Sequence, residues 1–149
     1  MKKTAILAAL LAQRGITCIT ATDNNPRALA CARANIRHLG FADNISVEEA
    51  DLFPEGRADL ILCNPPWLPA KPTSAIETAL YDPGHAMLRG FLNGAAAHLN
   101  PNGEIWLVMS DLAEHLGLRA PGFLPALFQT ASLRVAQTLH LSLIHISEP

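Results

Sequence analysis

Charge is scarce in this chain: Asp, Glu, Lys and Arg make up 16% of its 149 residues, and the formal net charge is −2. No strong field of either sign draws in nucleic acid, so a nucleic-acid substrate is neither demanded nor excluded. Half of the residues are hydrophobic, which excludes a disordered segment and fits one globular domain with a real core. Cysteine is sparse too. Cys18, Cys31 and Cys63 are odd in number, sit among apolar neighbours and lack zinc spacing. They are expected to be reduced, buried thiols of a cytoplasmic protein, with no metal site. No apolar run approaches the ~20 residues needed to cross a bilayer. Met1 to Thr4 followed by Ala5 to Ala12 imitates a secretory leader. A cut after Ala12, however, would place Leu10 at the third position back, where a small residue belongs. Gln13-Arg14-Gly15 closes the run as a helix end does.

What is present is an alternation of helical and strand patterns. Thr4 to Arg14 reads as a helix apolar nearly all round, ended by Gly15. Thr17 to Thr22 is β-branched and apolar, a strand terminating at Asp23. Asn24 and Asn25 act as turn and cap residues, and Pro26 opens a helix that runs to Leu39 and stops at Gly40. Arg33 and Arg37, four apart, read as a solvated face. Ile45 to Ala50 is a short strand leading into Asp51-Leu52-Phe53-Pro54. Leu60 to Cys63 reads as a strand buried on both faces. After Trp67 a long loop rich in proline is expected, of the length that usually forms a lid or binding loop. An amphipathic helix over 87–99, a turn at Asn100-Pro101-Asn102-Gly103 and a strand over 104–109 follow. Asp111 with Glu114 has the spacing of a capping box. A helix over 121–130 and a strand over 133–139 are expected beyond it. Leu141 to Pro149 alternates like a strand but ends without cap or partner, and is expected to be a non-native tail.

The most informative stretch is Asn64-Pro65-Pro66-Trp67. Neither proline can donate to a ladder, so the preceding strand must stop there. Pro65 also drives Asn64 towards extended backbone. An amide and an indole are thereby held stiffly at the carboxyl end of a strand, the place where open α/β sheets bind ligands. These four residues resemble the Asn-Pro-Pro-aromatic signature of small-domain, S-adenosylmethionine-dependent methyltransferases that act on planar nitrogens. The chemistry explains the residue types. An amide NH2 is a poor nucleophile because its lone pair is conjugated. The Asn64 side-chain oxygen and the Pro65 carbonyl can each accept one of its hydrogens, favouring a pyramidal nitrogen with its lone pair aimed at a methyl group. That is catalysis by positioning and electrostatics, without metal or covalent intermediate. Trp67 would stack on the planar target.

The resemblance extends over roughly Ala5 to Leu139 and implies a Rossmann-like, doubly wound, mostly parallel α/β sheet. In such a family Asp23, with Asn24 beside it, would bind the cofactor ribose. Asp51 would meet the adenine amino group, with Leu52 packing on the ring, and Asn64 would face both cofactor and acceptor. Residues 1–140 form an incomplete domain on this reading, because its first strand and glycine-rich turn have no counterpart. No Gly-x-Gly precedes Asp23. A fragment that is unstable or inactive is therefore expected. The acceptor is expected to be RNA guanine, flipped out if it lies in a duplex, or a protein glutamine. Alternatives stay open. Asp23 also suits a helix cap or a nicotinamide ribose, making an oxidoreductase fragment a second reading. Asp51 also suits a turn. Tyr81 and Asp82 are candidates for a substrate pocket, and the missing glycine loop fits a non-catalytic binding domain.

Overall fold

The computed structural model describes residues 5–69 and 81–140. In its first half, α1 (Ile6–Gln13) leads through Gly15 into β1 (Ile19–Asp23). Gly15 lies at φ 91°, where its N–H reaches Ala12 O at 3.0 Å and ends the helix. Next, α2 (Pro26–His38) is capped by Asn25, whose side-chain oxygen accepts the Arg27 N–H at 3.0 Å, with Pro26 in the first helical position. β2 (Ile45–Glu49) then lies parallel to β1, from Ile19 opposite Ile45 to Asp23 opposite Glu49. Helical spacing puts Leu29, Ala32 and Ile36 on the buried side of α2. Ile36 joins Ala8, Ala12 and Ile45 in a small core flanked by Ile19, Ala21, Phe41 and Val47. Arg33 and Arg37 are exposed as expected, and Arg33 Nη2 donates to Val47 O at 2.9 Å.

The second half has its own core. β3 (Ala58–Cys63) pairs in parallel with β4 (Leu99–Leu107). Before β4 comes α3 (Ala86–Ala95), entered through a 3-10 turn at Pro83–His85 and left through another at Ala96–His98. After it come α4 (Leu112–His115) and α5 (Phe123–Thr130). Leu88, Phe91, Leu92 and Leu127 form the buried centre, with Leu88 at 0% and Leu92 at 1% exposure. Leu52 and Phe53, from the turn after β2, pack onto this cluster. Phe53 stacks on Phe91 with ring centroids 5.2 Å apart and on His98 at 4.4 Å. Gly94 permits that approach, since a Cβ there would stand 2.8 Å from Phe53 Cε2.

Arg119, 4% exposed, is neutralised by Glu114: Nε donates to Oε1 at 2.8 Å and Nη2 to Oε2. Nη2 also donates to Ser110 O at 2.6 Å. This pairing displaces the expected capping box. Ser110 Oγ accepts the Leu112 N–H at 3.1 Å, and Asp111 bonds His115 instead of a helix N–H.

Among the described residues the architecture is mixed α/β, with two parallel strand pairs, β1–β2 and β3–β4, in separate sheets. The remaining departures are local. β3 is half-buried rather than covered on both faces: Ile61 and Cys63 pack on the second core, while the strand's remaining residues stay partly open. The expected turn at 100–103 sits inside β4 as a bulge, with Asn102 at φ 65° and the register shifted between the Ala58 and Leu60 pairings. Residues 133–139 have no strand partner among the described residues and are largely exposed. Val135 and Thr138 are their β-branched residues. Cys18 is exposed and Cys31 and Cys63 are half-buried, against the expectation of buried thiols. Residues 70–80 of the expected loop and the 141–149 tail lie outside the described residues. Among the described residues, no helix is long and apolar enough to cross a membrane.

Because Leu92 is almost fully enclosed, Leu92→Ala should cost about 3 kcal/mol, a cavity-forming loss read as a lowered denaturant midpoint in equilibrium unfolding.

Candidate active site

Asp23 ends β1 half-buried. Its Oδ1 accepts the Asn25 N–H at 2.8 Å, so it forms the turn that leads into α2 while Asn25 does the capping. Its second oxygen has no hydrogen-bond partner among the described residues. Asn24 is exposed in the same turn. A cavity of about 90 Å³ opens beside Asp23, lined also by Ala5, Ala21, Thr22, Leu29 and Val47.

The turn after β2 is tied to that strand end. The Ala50 N–H donates to Asp23 O at 3.2 Å, and Thr22 Oγ1 donates to Leu52 O at 3.4 Å. Asp51 O accepts the Phe53 N–H at 3.0 Å across Leu52, which is held at φ 73°. A leucine in that region is strained, and such strain persists only where surroundings enforce it. Here the Leu52 side chain is drawn towards α3, where a Cβ on Gly90 would lie 3.1 Å from Leu52 Cδ1. Asp51 itself is exposed.

At the end of β3, Asn64 is exposed, Pro65 is buried, and Pro66 and Trp67 are half-buried. The Trp67 indole N–H donates to Asn64 Oδ1 at 3.1 Å. β4 supports the strand end, the Val108 N–H donating to Cys63 O at 2.9 Å. Burial pushes the Cys63 thiol up to about 12, so it stays protonated and is no nucleophile. The structure thus joins Asp23 to Asp51–Leu52, and Asn64 to Trp67. No hydrogen bond links the two groups among the described residues. Leu52 and Cys63 reach the same core cluster, which connects them through packing.

Tyr81 and Asp82 serve the frame. Tyr81 bridges Leu68, and the Asp82 N–H donates to Leu68 O at 2.7 Å. The Asp82 carboxylate, 3% exposed, accepts the Met87 and Leu88 N–H groups at 2.9 and 3.0 Å, anchoring the start of α3. Asp followed by Pro83 is a helix-entry signal that sequence reasoning passed over. His85, 5% exposed, is part of the same frame. Its ring lies 4.6 Å from that of Phe123, over which Arg89 sits at 5.1 Å. His85 Nδ1 and Arg119 Nη1 are buried without hydrogen-bond partners among the described residues. Among the described residues, no cluster of three His, Cys, Asp or Glu side chains could hold a metal ion.

A family model described as the methyltransferase small domain matches residues 4–138. The chain belongs to that family. It is 35% identical to a release factor glutamine methyltransferase of Cereibacter sphaeroides, over 82% of this chain and 51% of that one. A putative protein N5-glutamine methyltransferase of Methanocaldococcus jannaschii is 31% identical, over 73% and 58%. A ribosomal protein uL3 glutamine methyltransferase of Bordetella pertussis is 29% identical, over 85% and 46%. The chain thus spans about half the length of the curated relatives it matches. Asp23, with an uncommitted carboxylate oxygen beside a cavity, has the donor-accepting chemistry that a ribose diol needs. That cavity is smaller than the ~300 Å³ at which small-molecule sites begin, so it is too small to enclose a whole small-molecule ligand.

Burial and the nearby Arg119 and Arg89 hold His85 below its usual 6.5, against the opposite pull of Asp82 and Glu114. A histidine kept neutral in the fold contributes stability above about pH 6.5, and this is lost as pH falls towards its lowered folded value. Glu114, held low chiefly by its hydrogen bond from Arg119, adds a loss of the same sign at lower pH. Denaturant midpoints measured from pH 7.5 downward should therefore fall, and His85→Phe should flatten the first part of that decline.

Proposed function

We propose that this chain carries the methyl-transfer site of an S-adenosylmethionine-dependent N-methyltransferase that acts on a protein glutamine. One observation carries the reading most: an exposed Asn64 amide at the end of β3, followed by two prolines and bonded by the Trp67 indole. Membership of the methyltransferase small domain family and relatives named for glutamine methylation support it. The same relatives favour a protein glutamine over RNA guanine, and family membership disfavours the oxidoreductase reading.

In this proposal the cofactor supplies an electrophilic sulfonium methyl group. Asp23 accepts hydrogen bonds from the ribose hydroxyls, with Asn24 shaping its turn. Asp51 and Leu52 face the adenine. Asn64 Oδ1 and the Pro65 carbonyl take one hydrogen each of the glutamine NH2, turning its lone pair outward, and Pro66 keeps the loop rigid. Trp67 presents its ring to the planar carboxamide. The two parallel pairs are the flanks of one doubly wound sheet, and a further central strand between β1 and β3 completes it. Residues 1–140 are an incomplete methyltransferase domain in this view, with 141–149 a non-native or disordered tail, and the protein acts in the cytoplasm.

Labelled methyl transfer from S-adenosylmethionine to a release factor or uL3 glutamine tests this. Asn64→Ala should lower kcat by about 100-fold, the scale of losing one positioned polar group at a reacting centre. Transfer undiminished in that variant would overturn the assignment.

A further inference from the structure

We infer that Trp67 is a positioning residue whose indole N–H fixes which end of the Asn64 carboxamide faces the acceptor. A carboxamide has two ends of nearly equal shape, and rotation about its last torsion is broad. Only the oxygen end accepts a hydrogen bond; the NH2 end would repel an incoming amine hydrogen. Asn64 is exposed, so water competes for both ends. Among the described residues the Trp67 N–H, 3.1 Å from Oδ1, is the one hydrogen-bond partner of that side chain. The indole nitrogen donates and never accepts. Turning the amide over would therefore set two donors face to face, and that orientation is disfavoured.

The backbone makes this restraint effective. Pro65 and Pro66 lie between the partners and restrict the chain, with Pro65 buried. On the far side of Trp67, Leu68 O accepts the Asp82 N–H at 2.7 Å, and Asp82 is anchored to α3. The backbone just beyond Trp67 is thus anchored while the indole holds the amide. A carbonyl oxygen has two lone pairs, so one remains for an acceptor hydrogen after the indole has taken the other. A phenyl ring at position 67 would keep an aromatic face and lose this control.

The catalytic consequence rests on the proposed methyltransferase activity, whereas the orientation of Asn64 can be measured without turnover. In the 15N-labelled full chain, the Asn64 side-chain amide should be ordered, and it should become mobile in Trp67→Phe. In Asn64→Ala, the Trp67 indole N–H resonance should move. That of Trp106 should stay, because its N–H is held by Glu104 Oε2 at 3.1 Å. The second comparison decides the matter if Trp67→Phe does not fold. An Asn64 amide equally mobile in both proteins, or an unmoved Trp67 indole resonance, would overturn the inference. In turnover, Trp67→Phe should lower kcat about tenfold, the worth of one hydrogen bond, with KM for the methyl donor within about twofold. Wild-type kcat in Trp67→Phe beside an inactive Asn64→Ala would overturn the positioning role and leave the proposed function standing. Full activity in Asn64→Ala would sink the proposed function, and the resonance measurements alone would then decide the orientation.

Discussion

A strand of a parallel sheet delivers whatever stands at its carboxyl end to the ligand-binding edge, provided that the chain stops there cleanly. In this protein Pro65 and Pro66 enforce the stop, since neither can donate to a ladder. β3 is held to that point by pairing with β4 up to Cys63 and Leu107. The amide of Asn64 then stands outside the core while Pro65 lies inside it. An exposed polar group on a buried, conformationally restricted backbone is costly to misplace, and such rigidity is what a reaction dependent on positioning requires. The proposed chemistry follows from this junction.

The rest of the second half can be understood as support for it. Apolar burial against α3 and α5 supplies the bulk of the cohesion. Two buried charges then lock elements that apolar contact alone would leave free to slide. Asp82 satisfies two N–H groups at the start of α3 while its own N–H holds Leu68, three residues beyond Pro65. Arg119 gathers Glu114 and the Ser110 carbonyl behind β4. The first half, built on β1 and β2, has a smaller core, and its ties to the second run through Leu52 and Phe53. The positive φ of Leu52 is the visible strain of that connection.

Much of this was legible in the residues. β-branched and apolar segments ending at Asp23 and Asn64, with Asn25-Pro26 and Gly40 bounding α2, located the first elements to within a residue or two. The tetrapeptide after β3 indicated the family because its chemistry depends on local residues. What stayed hidden depended on partners distant in the chain. Glu114 had the spacing of a capping box, yet a buried guanidinium five residues on competes for it more strongly than a backbone N–H does. A strand was expected at 133–139, but a strand needs an edge to pair with. Apolar neighbours in sequence made Cys18 look buried, although exposure is decided by what packs across the chain. The bond between Trp67 and Asn64 spans only three residues, and rotamer choice, not spacing, creates it.

The central claim is that the ends of β1, β2 and β3 form one site for a methyl donor and a planar nitrogen. Its most direct test is titration of S-adenosylmethionine, and separately NAD, into the 15N-labelled chain while backbone amide resonances are followed. S-adenosylmethionine should shift Asp23, Asn24, Leu52 and Asn64 together, and Asp23→Ala should abolish the shifts. Shifts confined to one strand end, or NAD perturbing these residues more strongly than S-adenosylmethionine, would contradict the account.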